Sequence, residues 1–254
     1  MSPRPPEAPS RDCDLCPRLV AFRSANQTNH PDWFNAPVPS FGVQRAWLLI
    51  VGLAPGLKGA NRTSRPFTGD FAGDLLYATL LRHGLAVGTY GARAEDGLRL
   101  VGCRITNAIR CVPPGNKPVA AEVAACRRFL AAEIRNMPEL RTILALGVLA
   151  HGAVLTCLSV RKRSHPFQHG AIHHLPGGLF LADSYHCSRY NTQTGRLSAA
   201  MFDDVLARVS LNRAPVAATF DDDMIGAIPP KRRKRARVMT QTTEPFNGPE
   251  GERR

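Results

Sequence analysis

Two segments of the chain combine residue types that can bind a planar ring, move a proton and approach a ligand closely. The first segment, residues 52–70, reads GLAPGLKGANRTSRPFTGD. Its glycines and Pro55 let backbone amides come near a ligand. Near its end, Phe67 supplies an aromatic face and Asp70 a carboxylate, which suit stacking on a flipped base and reading its edge. Taken singly, Phe67 also suits a hydrophobic core and Asp70 a helix N-cap.

The spacing in the first segment excludes two common nucleotide-binding motifs. A phosphate loop of the Walker type requires Gly-X4-Gly-Lys followed by Ser or Thr. Here Lys58 precedes Gly59 and Ala60 instead. The GxGxxG pattern of dinucleotide-binding domains is missing as well. The segment therefore does not indicate an ATPase or a dehydrogenase.

The second segment, residues 183–196, reads DSYHCSRYNTQTGR and carries a different set of groups. His186 lies among two arginines, a tyrosine and several side-chain amides. Such groups suit contacts with the DNA backbone and insertion into the base stack. An isolated histidine is more often structural, but this one follows a predicted strand.

The elements that must position both segments alternate between strand and helix. The sequence predicts strands over residues 46–51, 100–109, 141–146 and 178–184, and helices over 12–24, 71–83, 118–137, 147–158 and 194–211. The helix over 12–24 is expected to open with an aspartate cap. The alternation predicts an α/β fold whose mostly parallel sheet is covered on both faces. Ligands bind beyond the carboxyl ends of such strands, so both segments should lie on one edge.

The bulk composition fits one globular domain with flanking segments. The chain has 254 residues, of which 44% are hydrophobic, and this is enough for a single α/β core. We predict a flexible N-terminus over residues 1–11, a folded domain over 12–212 and a disordered basic tail over 213–254. The tail holds the run KRRKRAR at residues 231–237. No apolar run is long enough for a membrane span and no apolar leader is visible, so we expect a cytoplasmic monomer without a membrane partner.

The net charge of +13 is compatible with two interpretations. A basic body suits a polyanionic partner such as DNA, and binding would then weaken steeply as the salt concentration rises. A basic but otherwise unspecialised protein would carry the same charge. The charge alone does not decide between them.

The seven cysteines do not indicate a disulfide framework, since disulfides are rare in cytosolic proteins. Cys13 and Cys16 form a Cys-X2-Cys pair, and Cys111 and Cys126 flank the segment VPPGNKPVAAEVAA. Four such cysteines suit zinc or an iron–sulfur cluster, and they also suit unrelated buried thiols. The spacing does not choose among these alternatives.

Four histidines form a looser group, namely His165, His169, His173 and His174. Metal binding is one interpretation of this group. The intervals match no standard metal-binding motif, however, and histidines in such a stretch are most often surface residues.

Together, the two segments resemble the motifs of the uracil-DNA glycosylase superfamily. GLAPGLKGANRTSRPFTGD is similar to motif one of its type B, or family 5, enzymes, and SYHCSRYNTQTGRLS is similar to their second motif. The resemblance extends over about residues 12–210. Two departures are Ser64, where we expect glycine, and Cys187, where proline is more common.

The resemblance implies a three-layer α/β/α sandwich around a central four-stranded, mainly parallel sheet. It also implies hydrolysis of the bond that joins uracil, or another deaminated base such as hypoxanthine, to the sugar of single- or double-stranded DNA. An abasic site would remain, and no divalent metal would be required. Other branches of the superfamily place a polar side chain in the first turn, whereas this turn holds Leu53, Ala54 and Gly56. By similarity to family 5, the carboxylate role moves to Asp70, with Asp74 as the rival candidate.

The resemblance assigns further roles by position. His186 and Asn107 would join Asp70 as catalytic residues, with His186 stabilising the departing uracil anion and Asn107 reading its Watson–Crick edge. The expected base-binding residues are Gly52, Leu53, Ala54, Pro55, Gly56, Phe67 and Asn107. The expected DNA-binding residues are Arg62, Arg65, Ser188, Arg189, Tyr190, Asn191 and Arg196.

The resemblance also favours a structural [4Fe–4S] cluster bound by Cys13, Cys16, Cys111 and Cys126. Such a cluster would link the N-terminal helix to the loop after the second predicted strand. Two other functions stay open. One is a noncatalytic DNA-binding or damage-sensing protein with the same fold and cluster, and the other is a redox protein that uses the cluster for electron transfer. Base release from uracil-containing DNA separates the enzyme from the sensor, and the redox hypothesis leaves both motifs unexplained.

Overall fold

The computed structural model describes residues 8–213 of the chain. The strands in this range are, in chain order, β1 (Leu48–Gly52), β2 (Ala86–Val87), β3 (Arg99–Leu100), β4 (Cys103–Asn107), β5 (Thr142–Leu146), β6 (Ile172–His174) and β7 (Phe180–Ser184). The α-helices in the same range are α1 (Pro17–Asn29), α2 (Ala60–Thr63), α3 (Phe71–Arg82), α4 (Ala120–Arg135), α5 (Val148–Cys157), α6 (Arg189–Gln193) and α7 (Ala199–Leu211). The predictions for residues 1–7 and 214–254, including the basic run, lie outside the described residues.

The central sheet has the strand order β4-β1-β5-β7-β6. Strands β4, β1, β5 and β7 run parallel, which confirms the four predicted strands and their direction. The structure adds a fifth strand, β6, which pairs antiparallel with β7 at the edge. Strands β2 and β3 form a separate antiparallel pair.

Helices cover both faces of the central sheet, as alternate residues of β1 show. Leu48 and Ile50 belong to the apolar cluster that includes side chains of α3 and α7. Leu49 and Val51 belong to the cluster that includes side chains of α4 and α5. A strand buried on both faces requires an unbroken apolar run, which explains why LLIV forms the centre of the sheet. The predicted three-layer α/β/α arrangement is thereby confirmed.

Two predicted helices differ from the structure by several residues at their bounds. The first helix starts at Pro17 and continues to Asn29, so the predicted aspartate cap near residue 12 is wrong. Proline favours the first turn of a helix because its missing N–H would have no partner there. The helix predicted over 194–211 begins only at Ala199, where the Ser198 hydroxyl accepts a hydrogen bond from Met201 N at 3.1 Å.

The helices of residues 8–213 are all too short or too polar to cross a membrane. This finding agrees with the hydropathy of the sequence. It concerns only the part of the chain that the structure describes.

Candidate active site

The carboxyl ends of β1 and β4 place the first segment beside Asn107. Gly52 and Asn107 occupy the same register position at the ends of these two parallel strands. Beyond the strands, Ala108 N donates to Gly52 O and Ile109 N donates to Leu53 O, each at 2.9 Å. The turn after β1 is therefore fixed against the residues that follow Asn107.

A cleft of about 340 Å³ opens at this edge of the sheet. Its lining includes turn residues 53–56 together with Phe67, Asp70, Asn107, His186, Ser188 and Arg189. The fold thus brings the three predicted catalytic residues, which lie far apart in sequence, into one cleft. We call residues 52–70 the first wall of the cleft and residues 186–196 the second wall.

Asp70 lies at the N-cap of α3, which confirms that interpretation, and its side chain also lines the cleft, where its catalytic role stays a prediction. Its Oδ1 accepts a hydrogen bond from Gly73 N at 3.3 Å. A methyl group at Gly56 would lie 2.7 Å from Asp70 Oδ2, so the carboxylate fits there only because residue 56 lacks a side chain. Burial raises the pKa of Asp70 above its ordinary value, although hydrogen bonds from the Gly73 and Ala72 amides oppose the shift.

Asp74, the rival carboxylate, lies one turn further along α3. Its side chain is exposed and borders an adjoining shallow hollow, whose lining also includes Asp70. It is not part of the lining of the 340 Å³ cleft. The geometry therefore favours Asp70 as the carboxylate that meets a bound base.

Phe67 combines a core position with a place in the cleft lining. Only 6% of its surface is exposed, and it packs within the cluster that includes Leu48 and Leu76. Its ring centroid lies 5.7 Å from that of His186. Its backbone φ is +52°, an uncommon value for a residue with a side chain, and one that needs support from neighbouring groups.

Two tyrosines supply that support. Tyr77 Oη donates to Pro66 O at 2.6 Å. Tyr90 Oη donates to Phe67 O at 3.3 Å and accepts from Gly69 N at 3.4 Å. The hydroxyl of Tyr90 therefore holds the backbone on both sides of Thr68, directly before Asp70.

Arg65 belongs to the same support and does not face solvent. It is 4% exposed and forms an ion pair with Asp96, with Nη2 2.6 Å from Oδ2. Its Nε donates to Thr68 Oγ1 at 2.7 Å. The prediction that Arg65 contacts DNA is wrong for this arrangement, because the side chain is buried, lies over the rings of Phe41, Tyr77 and Tyr90, and is paired with Asp96.

Ser64 and Gly73 show why the loop requires particular residues. Ser64 has φ +67°, so glycine, which is expected there by resemblance, would be free of strain. Gly73 lies within α3, and a methyl group on it would overlap the carbonyl oxygen of Phe67 and the hydroxyl of Tyr90. Helix and loop can approach this closely only because residue 73 lacks a side chain.

Asn107 presents an unpaired acceptor at the cleft. The residue is 2% exposed, and its Oδ1 has no hydrogen-bond partner among residues 8–213. Buried polar atoms are nearly always paired, so such an atom in a cleft is suited to a ligand that donates a hydrogen bond.

His186 lines the cleft as a neutral imidazole at neutral pH. Part of its surface stays open to the cleft, but the surrounding protein lowers its pKa to about 4 by desolvation. Asn191 Nδ2 donates to the backbone carbonyl of His186 at 2.8 Å. The amide of Asn191, predicted to contact DNA, therefore positions the histidine loop.

The remaining predicted DNA-binding residues of the second wall lie on or beside α6. Ser188 caps this helix by accepting from Asn191 N at 3.4 Å. The guanidinium of Arg189 lies 5.3 Å from the ring centroid of Phe71, and that of Arg196 lies 4.5 Å from the centroid of Tyr185. Tyr190 is 70% exposed.

Arg62, the remaining predicted DNA-binding residue, lies on α2. Its side chain is exposed, and its Nε donates to Lys58 O at 2.9 Å. Its other guanidinium nitrogens are directed toward Gly69, close to the end of the first wall.

The sequence reasoning did not identify Asn116, which also lines the cleft. It lies in the loop between Cys111 and Cys126 and has a positive φ of 56°. An asparagine after Pro-Gly is an ordinary turn residue, so its type and neighbours gave no functional indication.

The four predicted cluster cysteines meet at one small hollow beneath α1. Cys13, Cys16, Cys111 and Cys126 all line it, with Leu19 and Phe129 as apolar neighbours. The hydrogen bonds directed at the sulfurs come from Arg23 Nη1 to Cys111 Sγ at 3.9 Å and from Arg110 N to Cys126 Sγ at 3.4 Å.

The arrangement of these thiols fits a positively charged inorganic group. Burial raises the pKa of Cys111 to about 12 and that of Cys126 to about 11, so each thiolate requires a compensating cation. The remaining three cysteines, Cys103, Cys157 and Cys187, are buried elsewhere. Cys187, which follows the candidate catalytic histidine, is 0% exposed.

Comparison with known proteins agrees with this geometry. The family model of the uracil DNA glycosylase superfamily matches residues 39–210. The chain is 48% identical over 200 residues to the type-5 uracil-DNA glycosylase of Thermus thermophilus, which covers 76% of this chain and 90% of that protein. It is 45% identical over 202 residues to the type-5 uracil-DNA glycosylase of Mycobacterium leprae, covering 76% and 88%.

A type-4 relative is more distant. The type-4 uracil-DNA glycosylase of Pyrobaculum aerophilum is 34% identical over 152 residues, covering 59% of this chain and 63% of that protein. The family match spans both walls of the cleft and the sheet that supports them. The chain belongs to the uracil-DNA glycosylase superfamily.

Proposed function

We propose that this protein hydrolyses the N-glycosidic bond of uracil in DNA and leaves an abasic site. The observation that carries this conclusion is that Asp70, Asn107 and His186 converge on one cleft beside the ring of Phe67. The family match and the type-5 relatives support it. The cleft supplies a stacking surface, polar groups for a base edge and a carboxylate, which are the parts that the reaction needs.

Recognition of the flipped base would fall to Asn107 and His186. Asn107 Oδ1, which lacks a partner among the described residues, is free to accept the N3–H of uracil. The neutral ring of His186 can donate its N–H to a carbonyl oxygen of the base. That donor would stabilise the negative charge that uracil acquires as the bond to C1′ breaks.

Asp70 would act on the sugar side of the same bond. As the electron pair leaves with uracil, positive charge develops at C1′ and the ring oxygen of the sugar. An ionised Asp70 stabilises this charge and accepts a proton from the water that attacks C1′. The uracil anion then takes up a proton, so the products are uracil and an abasic sugar.

The turn after β1 favours a broad range of bases. Its side chains at Leu53 and Ala54 are apolar, and they do not present a carboxylate or amide that would reject a purine ring. We therefore include hypoxanthine among the substrates that this site accepts, with uracil as the principal one.

We further propose that the four clustered cysteines bind a [4Fe–4S] cluster with a structural role. When bound, the cluster would cross-link α1 to the segments that contain Cys111 and Cys126. The apolar surroundings and the two hydrogen bonds to sulfur support this ligand set.

Base release from synthetic DNA tests the proposed activity. Single- and double-stranded oligonucleotides carrying uracil, hypoxanthine, xanthine or a thymine mismatch would be incubated with enzyme in excess, with His186→Ala alongside. We expect uracil to be released fastest and the His186→Ala variant to be slower by about 100-fold or more. Binding of uracil-DNA without base release would instead support the noncatalytic damage sensor.

Metal analysis of anaerobically purified protein tests the cluster. We expect about four irons and four sulfides per chain, with visible thiolate-to-iron absorbance, and loss of all three in Cys111→Ser. Zinc in place of iron, lost in the same variant, would contradict the cluster. Electron transfer that is equal in wild type and His186→Ala, with no base release by the wild-type protein, would favour the redox hypothesis.

A further inference from the structure

A second polar cluster lies between the sheet and α5, outside the cleft. It consists of His151 on α5, His173 on β6 and Asp183 on β7. His151 is 3% exposed and Asp183 is fully buried. His151 Nδ1 lies 2.7 Å from Asp183 Oδ1, and His173 Nε2 lies 3.0 Å from Asp183 Oδ2. One nitrogen or oxygen atom from each residue lies within 4.8 Å of the others.

The hydrogen-bonding partners of His151 are inconsistent with a neutral ring alone. Its Nε2 faces the carbonyl oxygen of His165 at 2.9 Å, while its Nδ1 faces the Asp183 carboxylate. Both partners are acceptors, but a neutral imidazole has a single N–H. If Nε2 donates to the carbonyl, the lone pair of Nδ1 is directed at a carboxylate oxygen. A cation between these two atoms removes the conflict.

We propose that His151, His173 and Asp183 form a binding site for a zinc ion. Two imidazoles and one carboxylate are a ligand set that zinc accepts. Histidine ligands commonly donate their other N–H to a backbone carbonyl, which fixes the ring and leaves the facing nitrogen for the metal. The bond from His151 to the His165 carbonyl has this geometry.

Each histidine nitrogen lies close to its own oxygen of the Asp183 carboxylate, near the spacing that a shared zinc ion requires. Zinc bonds of about 2.0–2.2 Å in a tetrahedron place ligand atoms roughly 3.3 Å apart. The two nitrogen–oxygen distances of 2.7 and 3.0 Å would therefore increase by a few tenths of an ångström. The hollow of about 620 Å³ between α4 and α5, which His151 lines, provides an entry path.

The surroundings offer a further donor for the fourth position. His165 lines the same hollow, and its ring centroid lies 5.6 Å from that of His173. Its Nδ1 is buried and has no partner among residues 8–213. The fourth ligand is this nitrogen or a water molecule that reaches the site through the hollow.

The ion would stabilise the fold without taking part in the reaction. It would join α5 to the antiparallel edge strand β6 and to β7. Strand β7 ends two residues before His186, so the ion would also hold the base of the second wall. This site is separate from the four cysteines, and its existence does not depend on the proposed glycosylase activity.

Zinc titration of matched variants tests the site. Purified, cluster-loaded protein would be stripped of zinc and titrated with Zn²⁺ against a chromophoric competitor, comparing wild type, His173→Gln and His174→Gln. His174 is the matched control, since it is the exposed neighbour on the same strand. We expect one zinc per chain in wild type and His174→Gln, and at least about 100-fold weaker binding in His173→Gln. All cysteines are retained in these variants, so any zinc bound by thiolates is the same in each.

If His173→Gln fails to fold, X-ray absorption at the zinc edge identifies the ligands of the ion in the wild-type protein. Nitrogen and oxygen ligands at about 2.0–2.1 Å would support the site, whereas sulfur at about 2.3 Å would place the ion at the cysteines and overturn it. Equal zinc affinity in wild type and His173→Gln would also overturn it. Failure of the wild-type protein to bind zinc would overturn the proposal too. A proton shared between His151 and Asp183 would then account for their close contact.

Discussion

The two walls of the cleft are built in different ways. The first wall is enclosed by other parts of the chain: Arg65 is paired with Asp96, and two tyrosine hydroxyls hold the backbone around Phe67. The second wall is held mainly by its own short-range hydrogen bonds, such as those of Ser188 and Asn191. Its central side chain, Tyr190, is 70% exposed.

We infer from this difference that the action of Asp70 and the binding of DNA depend on different parts of the cleft. A carboxylate that must meet one atom of the sugar requires a fixed backbone, and the first wall provides it. A surface that meets a long, flexible polyanion tolerates movement and keeps its aromatic and basic groups in solvent. We therefore expect substitutions of Asp70 and its supports in the first wall to change the rate of base release. Substitutions of exposed residues beyond His186 in the second wall, such as Tyr190, should change DNA affinity.

The largest expected effect is that of Asp70→Asn. Loss of the negative charge should slow single-turnover release of uracil by about 100- to 10,000-fold, while the dissociation constant for DNA stays the same. Asp74→Asn is the matched control, because this exposed carboxylate on the next turn does not line the cleft. Equal rates for wild type and Asp70→Asn would remove Asp70 from the mechanism.

A smaller effect is expected for Tyr190→Ala on the opposite wall. Stacking of an aromatic side chain on a base is worth about 1–3 kcal/mol, so the affinity for uracil-DNA should fall roughly 5- to 150-fold. The rate at saturating enzyme should change much less. Leu211→Ala serves as a control, since Leu211 is 81% exposed at the end of α7. If Tyr190→Ala loses rate but keeps its DNA affinity, Tyr190 acts in the chemical step and not in DNA binding.

Tyr90→Phe tests how far the support of the first wall matters. Removing its hydroxyl deletes the hydrogen bonds to Phe67 O and Gly69 N. A net hydrogen bond contributes about 0.5–1.5 kcal/mol, so the single-turnover rate should fall about 2- to 10-fold at unchanged DNA affinity. The Tyr185→Phe variant, which alters the ring stacked on His169, should keep the wild-type rate. A lower melting temperature with an unchanged rate would indicate a purely structural role for Tyr90.

The smallest expected effect is on the pH dependence of base release, which compares Asp70 in the first wall with His186 in the second. In the proposed mechanism Asp70 is ionised, and burial raises its pKa above its ordinary value, so the rate should fall as the pH decreases through that raised value. The pKa of His186 is about 4, so its ring stays neutral until the solution is strongly acidic. If Asp70 sets the midpoint in single-turnover rates, that midpoint should be the same in wild type and in His186→Gln. If the midpoint disappears in His186→Gln, ionisation of His186 rather than of Asp70 sets the pH dependence of the rate.

The parallel strands could be predicted from the sequence because each is an apolar run. Strand β6 could not, since its three residues, Ile172–His174, show no alternation and lie between glycine and proline turns. Helix α6 has only five residues and depends on the Ser188 cap, which a periodicity search does not detect.

The site residues that could be predicted from the sequence are those whose location depends on the end of a strand. Asn107 and the turn after β1 lie at the ends of neighbouring parallel strands, and this follows from the strand assignments. Arg65 was assigned wrongly because its partner, Asp96, is 31 residues away and the residue type does not reveal whether an arginine lies inside or outside. The proximity of His151 to Asp183 likewise depends on how α5 packs on the sheet.

Gly73 carries a practical lesson for protein engineering. Glycine inside a helix is usually an early target for heat-stable variants, because alanine there gains roughly 0.5–1 kcal/mol. In α3 the added methyl group would displace the Phe67 carbonyl. The ring of Phe67 and the carboxylate of Asp70 would move with it. A stabilised library should therefore leave residue 73 unchanged, because a variant there could melt later and yet have lost the alignment on which turnover depends.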